Sequence, residues 1–256
     1  MRAFWNISGS VLFATTIGWG GYNIATLLGH SERDEVRVFA AADVRLIDVA
    51  NSAGGVTVTG TDAATTAGEI TVRAHISDGI RSTEDRQEAV DGVLRVRASC
   101  PQFGSMWCEA TYTIEVPHDM AVKLRSDNDS IRVADITGAV DVDSDNGSVT
   151  LSGLSGDIVA GTDNGDVRGS RLSSASARFE TDNGDVRAQF DAAPTSVVGR
   201  TDNGSVTIAV PAGEAYAVTT STDNGSTHVD VTNDPNSSRS IDIGTDNGSV
   251  TVRYND

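Results

Sequence analysis

The chain has 256 residues, with 36 acidic against 19 basic side chains and a formal net charge of −17. Acidity of this size opposes phosphate backbones and anionic lipid surfaces, which excludes nucleic acid as a partner. No G-x-S-x-G, HExxH, phosphate-loop or dinucleotide fingerprint occurs, so no catalytic residue and no cofactor are expected, and the chain reads as a non-enzyme.

After a short tail over residues 1–6, the stretch Ile7 to Leu28 is apolar, interrupted by Gly18, Gly20, Gly21 and Asn23. About 20 apolar residues cross a bilayer, so residues 7–29 are expected to form one transmembrane helix, a single-pass membrane anchor. The length exceeds a secretory signal core, and the one A-x-A site, Ala40-Ala41-Ala42, lies beyond the charged run His30 to Glu35. The expected topology has the N-terminus inside and the C-terminal domain extracytoplasmic. Residues 30–42 are expected to be a linker.

Residues 43–118 read as an irregular β region. Val49 to Val58 looks like strand, Asn/Gly turn and strand, and three more strands are expected around Ile70, Leu94 and Tyr112. The polar run Ser82 to Glu88 is expected to be a short helix or else a loop. Cys100 and Cys108 are the only cysteines. An even count in an exported domain reads as a local disulfide, with two free thiols as the alternative, and a metal site would need more ligands.

From residue 119 to 256 the chain repeats itself. A Ser or Thr precedes Asp145-Asn146-Gly147, Asp163-Asn164-Gly165, Asp182-Asn183-Gly184, Asp202-Asn203-Gly204, Asp223-Asn224-Gly225 and Asp246-Asn247-Gly248, with a degenerate first copy at Asp127. Successive Asp positions are 18, 18, 19, 20, 21 and 23 residues apart, too short for helical repeats of about 33. The predicted fold is therefore all-β, a parallel β-solenoid or β-helix-like stack of two-strand coils of 18–23 residues.

Aligned on Asp-Asn-Gly, the column headed by Val122, Val140 and Ile158 and the one headed by Leu124, Val142 and Ala160 are mostly apolar. At period two the Ser/Thr column shares their face, so its hydroxyls are expected to point inward. Beyond the turn, Ile131, Val149 and Val167 head a second inward strand, and the column Arg132, Thr150, Arg168, Arg187, Thr207, His228, Thr251 should face water. Asn-Gly reads as a tight turn because both residues tolerate positive φ. The growth in repeat length falls in the other connection, giving one constant and one variable edge.

Stacking the copies also stacks their Asp residues, and like charges in file repel. Either each carboxylate accepts turn N–H groups, which is the reading taken, or cations sit between them, for which Asp143, Asp145, Asp163 and Asp182 are the calcium candidates. His30, His75, His118 and His228 occur singly and read as surface or turn residues. The chain stops at Tyr254-Asn255-Asp256, directly after a strand, so the last coil is expected to leave an open end suited to end-to-end self-association.

The Asn-x-x-Gly-x-Val-x-Val opening at Asn51, the Thr-Asp-Asn-Gly-x-Val units and the N-terminal apolar segment together resemble the bacterial putative-adhesin family of β-strand-repeat proteins. The resemblance covers roughly residues 43 to 256. It implies a β-solenoid at the bacterial cell envelope and brings no catalytic residue. The expected function is adhesin-like binding or a structural role, with a surface glycan or protein as ligand. An accessory or sensor of envelope-stress signalling is the alternative, and a polysaccharide-processing β-helix enzyme comes last.

Overall fold

Alternation at period two commits each apolar run to a strand with one buried face. The computed structural model describes residues 31–79, 81–101 and 108–255. Its N-terminal strands are β1 (Ser31–Ala40), β2 (Leu46–Asn51), β3 (Val56–Gly60), β4 (Glu69–Asp78), β5 (Glu84–Val90), β6 (Val93–Ser99) and β7 (Glu109–Val116). The repeats supply β8 (Ala121–Ser126), β9 (Ile131–Ala134), β10 (Val140–Ser144), β11 (Val149–Ser152), β12 (Ile158–Thr162), β13 (Val167–Leu172), β14 (Ser176–Asn183) and β15 (Val186–Phe190). They continue with β16 (Ser196–Asn203), β17 (Val206–Val210), β18 (Ala217–Asn224), β19 (Thr227–Asp230), β20 (Ser240–Asn247) and β21 (Val250–Tyr254).

Two sheets face each other across one continuous apolar core that runs from Val44 to Val252. One has the order β1-β4-β7-β3-β9-β11-β13-β15-β17-β21-β19, the other β5-β6-β2-β8-β10-β12-β14-β16-β20-β18. Each repeat places its first strand in the second sheet and its second strand in the first sheet. Within the repeats the pairing is parallel and in register, so Val140 lies beside Val122 and Ile158, and Val149 beside Ile131 and Val167.

The stack does not follow the chain. The last coil, β20 with β21, lies between β16/β17 and β18/β19, so the penultimate coil forms the outer end. Near the N-terminus, β2/β3 likewise sits inside, between β6/β7 and β8/β9. This corrects the expectation of consecutive stacking and of an open end at Tyr254. Composition explains the order. Ile241, Ile243, Val250 and Val252 are fully buried, whereas β18 and β19 put Thr220 and Thr227 where the last coil has Ile243 and Val250, side chains that tolerate water at an end. Ile243 also fills the space beside Gly199, which has no side chain in that inward column. The longer final connections, Pro211 to Tyr216 and Val231 to Arg239, give the chain the reach to step over one coil and return.

Antiparallel strands close the opposite end. β1 pairs with β4 and β4 with β7, while β5 pairs with β6. Ser31–Ala40, expected as linker, is therefore an edge strand followed by a single 3-10 turn, Ala41–Asp43. Glu84–Val90, expected as helix or loop, is also a strand, and its charges suit an edge that must not recruit another sheet. The short α-helix is elsewhere, α1 (Asp62–Ala67), where the Thr61 hydroxyl accepts from the Ala64 N–H at 3.0 Å and Gly68 ends the helix at φ 64°. Cys100 and Cys108 form a disulfide. The expected anchor over residues 7–29 lies outside the described residues, and among those described no helix is long and apolar enough to cross a membrane.

The motif glycines hold this packing together. A Cβ on Gly184 would lie 1.9 Å from the Gly165 carbonyl oxygen, and one on Gly204 would lie 2.0 Å from that of Gly184. On Gly161 the nearest atom would be 3.5 Å away. Gly184→Ala should therefore destabilise the protein by about 1–3 kcal/mol through forced backbone shifts, while Gly161→Ala should stay within about 1 kcal/mol of the parent. Urea midpoints of the two variants check this.

Candidate binding surface

The Ser/Thr-Asp-Asn-Gly edge is a set of ladders in which each residue type has a separate task. Ser126, Ser144, Thr162, Thr181, Thr201 and Thr245 are buried, at 1–5% exposure. The Thr hydroxyl of one coil donates to the Gly carbonyl of the coil before it in the stack. These bonds are Thr162 to Gly147 at 2.8 Å, Thr181 to Gly165, Thr201 to Gly184 and Thr245 to Gly204 at 2.9 Å, and Thr222 to Gly248 at 3.0 Å. The Asn side chains form an amide ladder along the outside. Asn164 donates to Asn146, Asn183 to Asn164, Asn203 to Asn183, Asn247 to Asn203 and Asn224 to Asn247, all within 3.0–3.2 Å.

Two local expectations are corrected. The motif does join two strands tightly, as β14 to β15 through Gly184-Asp185, but none of the motif Asn residues has positive φ and β14, β16, β18 and β20 run through the Asn, so the Gly also serves close approach between coils. The motif Asp also does not brace the turn. Asp145, Asp163, Asp182, Asp202, Asp223 and Asp246 are exposed, and no hydrogen bond holds their carboxylates among the described residues. The bracing carboxylates come just after the glycine. Asp166 accepts from the Asp185 N–H, and Asp185 from the Ser205 N–H, both at 2.7 Å. Ser148 and Ser205 take the same position more weakly, at 3.3 Å. Nothing in the linear pattern marks the carboxylates of Asp166 and Asp185, which are half-buried in the structure.

The calcium candidates Asp145, Asp163 and Asp182 occupy the exposed file, and Asp143 lies on the outer face of β10. Among the described residues no group of three His, Cys, Asp or Glu side chains is placed to hold a metal ion. Desolvation, together with the nearby carboxylates of Asp163, Asp145 and Asp141, raises the Asp143 carboxyl above its ordinary value. His75 Nδ1 lies 2.7 Å from Asp34, and His118 joins the Asp135 carbonyl at 2.7 Å to Asp62 at 3.2 Å. His228 is exposed on the outermost strand, and His30 lies outside the described residues.

Two broad outer faces remain. On the first sheet, Arg73, Thr113, Thr57, Arg132, Thr150, Arg168, Arg187, Thr207, Thr251 and His228 stand side by side in one row across ten strands. Strand spacing sets these groups about 4.8 Å apart. Arg168 and Arg187 pair with Asp166 and Asp185, each just before the arginine's own strand, at 2.5 and 2.7 Å. Arg73 in the same row pairs with Glu115 at 3.0 Å. The second sheet also carries charge pairs between or within strands, Arg97 with Asp48 at 2.5 Å, Arg200 with Asp242 at 2.6 Å, Lys123 with Asp141 and Arg178 with Glu180. It carries one shallow apolar groove of about 400 Å³ beside Val159, which is 50% exposed.

A polar cleft of about 540 Å³ opens at the antiparallel end between Arg33, Arg37, Arg86, Arg97, Glu35 and Asp85. Its charges answer one another. Arg33 binds Glu35 and Asp78, Arg37 binds Glu35, and Asp85 accepts from the Tyr112 hydroxyl at 2.6 Å. Burial, then that hydrogen bond, drives the Tyr112 phenol far above its usual range.

No family model matches the chain, and no curated protein matches it. Among solved structures, a putative adhesin from Bacteroides fragilis is similar at 12% identity, covering 88% of this chain and 98% of that one, with a TM-score of 0.50. A putative cell adhesion protein from Clostridium sporogenes matches at 11% identity over 88% of this chain and 100% of its own, with a TM-score of 0.40. At this identity the likeness to the Bacteroides protein is one of fold.

Removing the hydroxyl in Thr201→Val leaves the Gly184 carbonyl buried without its donor, a loss of about 1–3 kcal/mol; Thr222→Val, in the exposed outer coil, should lose less than half of that, as thermal melts would read. The Asp185 N–H, then Arg168, hold the Asp166 carboxyl below its ordinary value. Its stabilising contribution is thus present above the unfolded-state carboxylate range and lost as pH falls through the lower folded value. Asp166→Ser, which copies the neutral acceptor of Ser148, should lower stability at neutral pH and flatten the acid limb of the Tm-against-pH curve.

Proposed function

We propose that this chain is a non-enzymatic, adhesin-like binding protein of the bacterial cell envelope. In this reading an N-terminal apolar helix holds it to the membrane and the β-stack projects on the extracytoplasmic side, where a surface glycan or protein docks flat against the first sheet. The observation that carries the proposal is the unbroken outer row from Arg73 to His228, where guanidinium and hydroxyl groups repeat in register across ten strands. A partner with repeating hydroxyl or carboxylate groups meets equivalent donors at each step, so many weak contacts add without any enclosed pocket. Three of the row's arginines are held by carboxylates, Arg73 by Glu115, Arg168 by Asp166 and Arg187 by Asp185, so the face offers donors fixed in position rather than a free positive field.

Two supporting features belong to the reading. A disulfide between Cys100 and Cys108 suits an oxidising compartment. The bonding of successive coils by hydroxyl, amide and backbone groups holds the row in register without a ligand.

The test replaces Arg132, Arg168 and Arg187 together by Ser and measures binding to glycan arrays and to intact bacterial and host cell surfaces, beside an Arg178→Ser control on the second sheet. The expected result is a loss of about tenfold or more, roughly 1.4 kcal/mol, for the triple variant alone. Equal binding by both variants and the parent would refute this face. Labelling of Cys-free surface positions by a membrane-impermeant reagent on intact cells should modify the stack, and protection until lysis would refute the extracytoplasmic placement.

A further inference from the structure

The six Asn-Gly pairs, at Asn146, Asn164, Asn183, Asn203, Asn224 and Asn247, are one dipeptide placed in six environments. Asn-Gly is the most reactive setting for loss of a side-chain amide, because glycine has no Cβ to hinder ring closure. The Gly backbone nitrogen gives up its proton to hydroxide and attacks the Asn Cγ. The new C–N bond closes a five-membered succinimide, the bond to Nδ2 breaks, and ammonia leaves with a proton from water. Water then opens the ring at either carbonyl, giving aspartate or, by the other route, isoaspartate.

Two requirements follow. The side-chain amide must swing back over its own following nitrogen, and the Gly N–H must be free to be deprotonated. The stack opposes both. In five pairs the Asn oxygen accepts from the next Asn in the ladder, as Asn247 does from Asn224 at 3.0 Å and Asn203 does from Asn247 at 3.0 Å. The same five amides donate to the preceding coil, so each is held from two sides. The N–H groups of Gly184, Gly204 and Gly248 donate to the Asn carbonyl of the next coil at 3.0 Å, and that of Gly147 donates to the Ser144 hydroxyl at 3.0 Å. At Asn164-Gly165 the glycine N–H has no acceptor among the described residues, and there protection rests on the Asn164 amide, held by Asn146 and Asn183.

At Asn224-Gly225 the ladder stops. Asn224 donates to Asn247 but, among the described residues, nothing donates to its oxygen and nothing accepts from the Gly225 N–H. Both residues are exposed, as is every residue of the adjoining β19. Among the described residues β18 and β19 each pair on one side only, with β20 and β21. Such edges open locally far more readily than strands paired on both sides.

We propose that Asn224 is a site of spontaneous deamidation, converted through a succinimide to aspartate and isoaspartate while the other five Asn-Gly pairs keep their amides. The product puts a new carboxylate between Asp223 and the Asn247 amide. In the isoaspartyl form it also inserts a methylene into the backbone joining β18 to β19, which loosens the outer coil from β20 and β21.

The test incubates the folded full chain at mildly alkaline pH and follows all six sites by peptide mapping, with electron-transfer fragmentation to distinguish isoaspartate. A parallel sample in urea reports the intrinsic reactivity of each dipeptide. In the folded chain Asn224 is expected to react about tenfold or more faster than the mean of the others, reflecting its lower local opening free energy. In urea the six rates should converge. Hydroxylamine, which cleaves succinimides, should cut the native chain between Asn224 and Gly225, and Asn224→Gln should abolish that cut. Equal rates at all six sites in the folded chain, a faster site elsewhere, or no reaction at Asn224 over a period in which the urea sample reacts would each overturn the proposal.

Discussion

Backbone contact at the motif glycines sets the terms for everything else in this molecule. Where Gly184 passes Gly165 there is no room for a side-chain carbon, since a Cβ would lie 1.9 Å from a carbonyl oxygen. The carbonyl brought so close then needs a donor, and the buried Thr hydroxyl of the same coil supplies it. A buried acceptor without a partner would be penalised by about 1–3 kcal/mol, so Gly and Thr are needed together. The Asn ladder outside follows from the same spacing. Identical amides brought to one level per coil can satisfy one another, just as stacked identical strands do.

Order within the stack is set by what each coil can bury. Coils rich in Val and Ile go inside, and the coil with Thr220, Thr222 and Thr227 goes to the end, even though the chain makes it before the last one. The inversion was legible in principle, because the two inward columns holding Thr220 and Thr227 are polar in that copy alone. It is missed when neighbouring copies are assumed to be neighbours in space. The antiparallel strands β1 and β5 were harder to see, because edge strands carry charges on both sides and so lose the alternation that marks a strand.

For the candidate surface, the inward Ser/Thr column and the outward row headed by Arg132 and Thr150 could be read from period two alone. The hydrogen-bonding roles could not. Asp145 and Asp163 look like the important carboxylates because they recur, yet they face water, while Asp166 and Asp185 accept the N–H groups of adjoining coils. Recurrence records what every coil needs, and here that need lies with the Thr, Asn and Gly. Which polar group meets a neighbouring N–H depends on the vertical offset between coils, a quantity that a linear pattern of residues does not contain.

Both inverted pairs flank a uniform run from β8 to β17, and this has a bearing on length. A coil added within that run would meet the same Gly, Thr and Asn on either side and would leave both terminal arrangements as they are. Each such addition would extend both outer faces by about 4.8 Å. The molecule is built as a ruler whose graduations can be multiplied from the middle, so the reach of its surface is set by copy number and not by the chemistry of its ends.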